Sequence, residues 1–195
     1  MNKSTIAYAS VIVAAICLLS GCAGIPISTL WHFRSFGADD LLQVNPADVR
    51  AAVQLDNGAD LGEPPDLTVE LKLNGEAQRT FRARLEKLRT GAALGPGIGE
   101  EEPGKHWYLF ALSADGVQSF RRLQQYLRKH IGPDGDFPDG KLALSINVQG
   151  LDLNSELRAQ GTLFIKTRLR LDRNDGFYTL FDGNYAIESD SAAQK

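Results

Sequence analysis

Leu67-Thr68-Val69-Glu70-Leu71-Lys72-Leu73 sets apolar and polar residues in unbroken alternation. Successive side chains of a strand point to opposite faces, so this segment separates a dry face from a wet one only as a β-strand. The pattern recurs along the chain. Val49, Ala51, Val53 and Leu55 share one parity, Thr80 to Leu88 alternates until its last positions, and Lys141 to Val148 carries its apolar residues at even positions. Leu163, Ile165, Thr167, Leu169 and Leu171 fall on one face of 162–171. His106-Trp107-Tyr108-Leu109-Phe110-Ala111-Leu112 reads as a central strand and Phe177-Tyr178-Thr179-Leu180-Phe181 as a further one. Asn45-Pro46, Asp56-Asn57-Gly58, Pro64-Pro65, Asn74-Gly75 and Asp175-Gly176 supply the turns between them. Arg and Lys occupy the polar faces freely, so each sheet keeps a wet side, which suits antiparallel pairing and not a doubly wound parallel sheet.

One segment changes period. Val117, Phe120, Leu123 or Gln124, Leu127 and Ile131 recur at helical spacing, with Ser113 or Asp115 to cap the start and Gly132 to follow the end. The expected fold is therefore mainly β: an antiparallel β-sandwich of about seven or eight strands with one amphipathic helix over 115–131. The alternative is an α+β arrangement in which an antiparallel sheet wraps over that helix.

Ahead of the strands lies a different kind of segment. Lys3 is followed by a charge-free apolar run, Ile6 to Leu19, and then by Leu19-Ser20-Gly21-Cys22. The run is short for a bilayer span and has the length of a signal-peptide core. Charge, run and tetrapeptide together resemble the export signal and lipobox of bacterial lipoproteins. That resemblance covers the first 22 residues. It implies cleavage before Cys22, a diacylglyceryl thioether on its sulfur and acylation of the new amine by a fatty acid such as palmitate. Ala23 stands where an Asp would favour retention in the inner membrane, so the resemblance implies the periplasmic face of the outer membrane in a Gram-negative cell. The expected organisation is a signal peptide over 1–21, a lipidated N-terminus and tether over 22–36, a single β-rich domain over 37–188 and a flexible tail over 189–195. Trp31, Phe33 and Phe36 beside Arg34 read as a segment packed on the domain, the competing reading being an aromatic belt at headgroup level.

Composition narrows the chemistry. Without residues 1–21, which take Lys3 and Cys17 with them, 20 basic residues face 24 acidic ones and Cys22 is the only cysteine. A net charge of −4 argues against nucleic acid. A lone lipidated cysteine leaves no disulfide, no thiol nucleophile and no thiolate zinc site.

Candidate motifs fail on inspection. Gly99-Glu100-Glu101-Glu102-Pro103-Gly104-Lys105 has phosphate-loop spacing, but His106 stands in place of Ser or Thr, a strand follows, and three carboxylates repel the ligand. It reads as a solvated acidic loop. Asp134, Asp136 and Asp139 are spaced like part of a calcium loop, yet Pro138 takes the third ligand position and Ser145 the twelfth, so a turn is the better reading. Asp172-Arg173-Asn174-Asp175-Gly176 reads as a hairpin turn. His32, His106 and His130 lie far apart, and no GxSxG elbow is present.

Arg121, Arg122, Arg128, Lys129 and His130 crowd the helix, and 117–131 contains no acid. Cations near a helix C-terminus interact well with the dipole, and a solvated face is the plainer reading; contact with an anionic lipid or an acidic partner is the sharper one. The expectation for the whole chain is a non-enzymatic, membrane-anchored binding or scaffold module for another envelope component, with no cofactor besides the lipid on Cys22. In address, size and class it is similar to small sandwich lipoproteins that serve secretion machines, though no motif residue of theirs is present. A carrier of an apolar ligand, lodged near Trp107, Phe110 and Phe120, is the second expectation and a cell-wall hydrolase the third.

Overall fold

The computed structural model describes residues 38–73, 75–88, 97–130 and 140–187. Cys22, the aromatic cluster 31–36 and the Asp134, Asp136 and Asp139 turn lie outside them. The order is α1 (Ala38–Gln43), a 3-10 turn (Pro46–Asp48), β1 (Arg50–Asp56), β2 (Ala59–Leu61), β3 (Asp66–Leu73), β4 (Arg79–Lys87) and β5 (Lys105–Leu112). Then come α2 (Ala114–Lys129), β6 (Gly140–Asn147), β7 (Leu151–Leu153), α3 (Ser155–Gln160), β8 (Thr162–Arg170) and β9 (Tyr178–Ala186).

Seven strands form one sheet in the order β6-β3-β4-β5-β1-β8-β9, antiparallel throughout. Its edge strands β6 and β9 curl round until they approach each other, so the sheet is nearly closed and leaves little bare edge. β2 and β7 pair as a small second sheet. The class is the expected one, mainly antiparallel β with, among the described residues, a single long amphipathic helix. The packed walls belong chiefly to one coiled sheet.

Register converts the period-two patterns into an inside and an outside. Val53 sits opposite Tyr108 on one side and Thr167 on the other, and Ala51 opposite Phe110 and Leu169. Leu67 faces Ala83 and Ile146, and Leu85 faces Leu112. Opposed residues share a face, so these sets join into one lining. Val53, Leu55, Leu67, Leu85 and Leu169 are buried completely or nearly so. Each such side chain contributes about 1.5–3 kcal/mol.

The helix α2 runs along β4 in the opposite direction. Its start meets Arg84, whose carbonyl accepts from the backbone N–H of Ser113 at 3.0 Å and from Ser113 Oγ at 3.1 Å. Its end meets Phe81, whose ring lies 5.6 Å from that of Tyr126. β5 pairs only with the last residues of β4, 85 to 87, and the helix covers the rest of the strand. Gly116, Phe120, Leu123, Gln124 and Leu127 form its buried stripe. Both members of the ambiguous pair 123/124 are buried, for different reasons. Leu123 packs in the core, whereas Gln124 Nε2 donates to the carbonyls of Leu41 at 2.9 Å and Val44 at 2.8 Å. This amide fastens α1 and the 3-10 turn to the helix.

Four elements had no sequence signal strong enough to see. α1 and α3 have six residues each, and β2 and β7 three each, too few for a period to register. The hairpin expected at Asp175-Gly176 is present. Asp172 Oδ1 accepts from Asn174 N at 2.8 Å, an Asx turn between β8 and β9.

Two substitutions test this seam. Gly→Ala in a helix ordinarily stabilises by about 1 kcal/mol, but a Cβ at position 116 would overlap the Arg84 carbonyl oxygen, a backbone atom that cannot swing away. Gly116→Ala is expected to destabilise by roughly 1–3 kcal/mol instead, as overpacking does. Gln124→Leu strands two carbonyls and should cost roughly 2–4 kcal/mol. Urea unfolding of the variants measures both.

Candidate functional site

The solvent side of α2 is built by elimination. Its buried stripe leaves Gln118, Arg121, Arg122, Gln125, Arg128 and Lys129 outward, and all six are exposed. Residues seven apart stack on a helix, so Arg121 lies in line with Arg128, and Arg122 with Lys129. The result is a double row of cations. Ser113 caps the start, its Oγ accepting from Gly116 N at 3.1 Å, and Arg128 and Lys129 occupy the last turn, where the dipole favours positive charge. Arg122 donates to Ser119 Oγ at 2.8 Å. Among the described residues none of the four cations is in an ion pair, whereas Lys105 and Lys166 both are, on Glu102 and Asp182.

A fifth cation joins from a different element. Arg79, at the start of β4, lies over the Tyr126 ring at 4.6 Å, and the His130 ring lies 4.2 Å from the same ring. His130 Nδ1 is 2.8 Å from the Tyr126 carbonyl; a carbonyl only accepts, so Nδ1 carries the proton. Arg79 is 42 residues before Arg121 in sequence, and no helical pattern could have assigned it to this face.

The other candidates separate. His106 is on β5, its Nδ1 3.2 Å from Asn57 Oδ1, remote in sequence and element from His130 on the helix end. Phe110 and Phe120 are 1% exposed in the core, while Trp107 faces the opposite side of β5, so the three do not line one space. In the acidic loop Lys105 is bound to Glu102 at 2.6 Å and lies 3.4 Å from the centre of the Phe164 ring, which commits it away from any phosphate. Glu100, Glu101 and Glu102 are exposed, as a solvated loop requires. Among the described residues no group of His, Cys, Asp and Glu could hold a metal ion, and no helix is long and apolar enough to cross a membrane.

One polar pair sits at the mouth of the core, a buried tyrosine against an exposed carboxylate. Tyr108 OH donates to Asp60 Oδ1 at 2.8 Å, joining β5 to the small sheet. Burial, then the bond to Asp60 and its charge, push the phenol well above its ordinary value of 10.0. The same bond, the Leu61 N–H and the nearby Lys87 and His106 hold Asp60 below the ordinary carboxylate range, though its partial burial opposes this. Glu102 is lowered by Lys105. A catalytic general acid requires the opposite displacement.

No protein-family model, no curated protein and no solved structure matches this chain.

Because the folded phenol holds its proton more tightly than the unfolded one, its contribution is intact below pH about 10 and is lost as pH rises past it. Tyr178 is raised too, by burial and by Asp175, and shares the direction. Tyr108→Phe is expected to lower stability by about 1 kcal/mol at neutral pH through the lost hydrogen bond. It should also make the loss of stability above pH 10 shallower, with Tyr178 supplying the remainder. Chemical unfolding at pH 7 and at alkaline pH measures the two effects.

Proposed function

We propose that the protein is a lipid-anchored, non-catalytic binding module of the cell envelope, held through Cys22 at the periplasmic face of the outer membrane, with α2 adsorbing to anionic phosphate headgroups. One observation carries the reading. The only acid in α2 is Asp115 in its first turn, and Arg121, Arg122, Arg128 and Lys129 stand exposed and, among the described residues, without ion-pair partners in a molecule of net negative charge. The buried stripe of the helix is committed to the core, so its outward rows are presented as a fixed surface. They contain no apolar residue, which suits electrostatic adsorption and not insertion.

The tether sets the reach. From Cys22 to Ala38 the chain spans at most about 56 Å when extended, which keeps the domain within a few nanometres of the anchor. Acyl chains supply the affinity, at about 0.8 kcal/mol per buried methylene. Each cation near an anionic surface adds about 1 kcal/mol, so the four together orient the domain without being needed to hold it.

Two measurements test the reading. Wild-type protein should label with radioactive palmitate and stay with membranes through a wash at about 1 M salt, and Cys22→Ala should do neither; an unlabelled wild type would overturn the anchor. Unlipidated Cys22→Ala protein should bind phosphatidylglycerol vesicles and not phosphatidylcholine ones, and should release them at about 1 M salt, where the screening length falls to about 3 Å. Replacing Arg121, Arg122, Arg128 and Lys129 by Gln should abolish that binding with stability unchanged within about 1 kcal/mol. Equal binding to neutral vesicles, or binding that survives the quadruple change, would overturn the role of the helix.

A further inference from the structure

The opposite side of the sheet carries a second cationic surface, half-buried, with Ala52 and Gln54 fully covered at its centre. On β5, β1 and β8 the register sets Gln54 between Trp107 and Lys166, Ala52 between Leu109 and Arg168, and Arg50 between Ala111 and Arg170. These side chains all point away from the core lining, since Ala51, Val53 and Leu55 take the other parity. Gln54 is nonetheless 0% exposed, and among the described residues neither its Oε1 nor its Nε2 has a hydrogen-bond partner. Trp107 Nε1, Arg168 Nε and Arg170 Nε are likewise buried and unpartnered.

The small Ala52 lets the Arg168 guanidinium pass across β1 to the Trp107 ring, 5.6 Å from its centre. Arg168 Nη1 also donates to the backbone carbonyls of Gly97 and Ile98, which brings the segment ahead of β5 over this face, with Ile98 2% exposed. Arg170 lies over Phe177 at 5.3 Å. Among the described residues neither arginine is in an ion pair, while the neighbouring Lys166 is neutralised by Glu102 and Asp182. Among the described residues, one half-buried face of three adjacent strands thus gathers four side chains with buried, unused N–H donors, two of them guanidinium groups, against a single unused acceptor, Gln54 Oε1. A buried polar group left unpaired costs about 1–3 kcal/mol, and native proteins rarely tolerate several together.

We propose that this face is a binding site for a small free oxyanion, a phosphate or a carboxylate, recognised by Gln54, Trp107, Arg168 and Arg170 beneath residues 97–99. The donor excess selects an anion, and guanidinium groups are the usual partners of phosphate and carboxylate oxygens. Complete burial of Gln54 excludes a bilayer surface and selects a free ligand. The site is independent of the vesicle-binding role of α2, which lies against β4.

The test uses the full-length chain in detergent, carrying Trp31→Phe so that Trp107 is the only tryptophan. Inorganic phosphate and succinate are titrated at constant ionic strength. At least one should change Trp107 emission saturably and raise the melting temperature by several degrees once well above its dissociation constant. Gln54→Leu removes both unpaired amide atoms, so it should fold at least as stably as the parent and lose at least tenfold in anion affinity. Arg170→Met should lose the response in the same way. The proposal is overturned if neither anion produces a saturable change, if Gln54→Leu responds as the parent does, or if only phosphatidylglycerol vesicles produce the response.

Discussion

The seam between α2 and β4 decides what the rest of the molecule can be. The Arg84 carbonyl takes two bonds from Ser113, and the absence of a side chain at Gly116 lets the first turn of the helix come down onto that same backbone. From there the helix direction follows β4, Phe120, Leu123 and Leu127 enter the core, and Gln124 reaches the carbonyls of Leu41 and Val44. A helix fixed along one side presents its other side whether or not that side helps stability. The rows of Arg121 with Arg128 and Arg122 with Lys129 are consequences of a core contact.

The two faces of the sheet use polar residues in different ways. Toward the helix, buried polar atoms are satisfied: Gln124 donates to carbonyls and Tyr108 to Asp60. On the outer face of β5, β1 and β8 they are not, and Gln54, Trp107, Arg168 and Arg170 keep unused hydrogen-bonding capacity under cover. Polar groups buried within one chain divide into those that hold the fold and those that cost it something. The second kind is where a fold departs from its own stability optimum, and such departures collect at sites of binding.

Much of the fold was legible because period-two and period-3.6 patterns report burial directly. Leu67–Leu73 and most of Lys141–Val148 and 162–171 became strands of the sheet, and Val117 to Leu127 of the helical pattern lie in α2. Coiling of the sheet until β6 approaches β9 was not legible, since closure depends on which strands neighbour each other, and alternation is silent on order. The helix cations were visible as a run without acids. Arg79 was invisible because register and the Tyr126 ring bring it there, not sequence distance. Gln54 was hidden for a related reason. In Val49–Leu55 it occupies a polar-parity position, which predicts exposure, and only the packing of 97–99 over β8 turns that face inward.

The central claim is that α2 belongs to the core and offers its cations from a fixed frame. Native-state hydrogen exchange measures this most directly. The account predicts that the amides of Phe120, Leu123, Gln124 and Leu127 exchange only through global unfolding, with the same opening free energy as Val53 and Leu55 in β1. Exchange of those helix amides through a separate opening, several kcal/mol below that of β1, would contradict it.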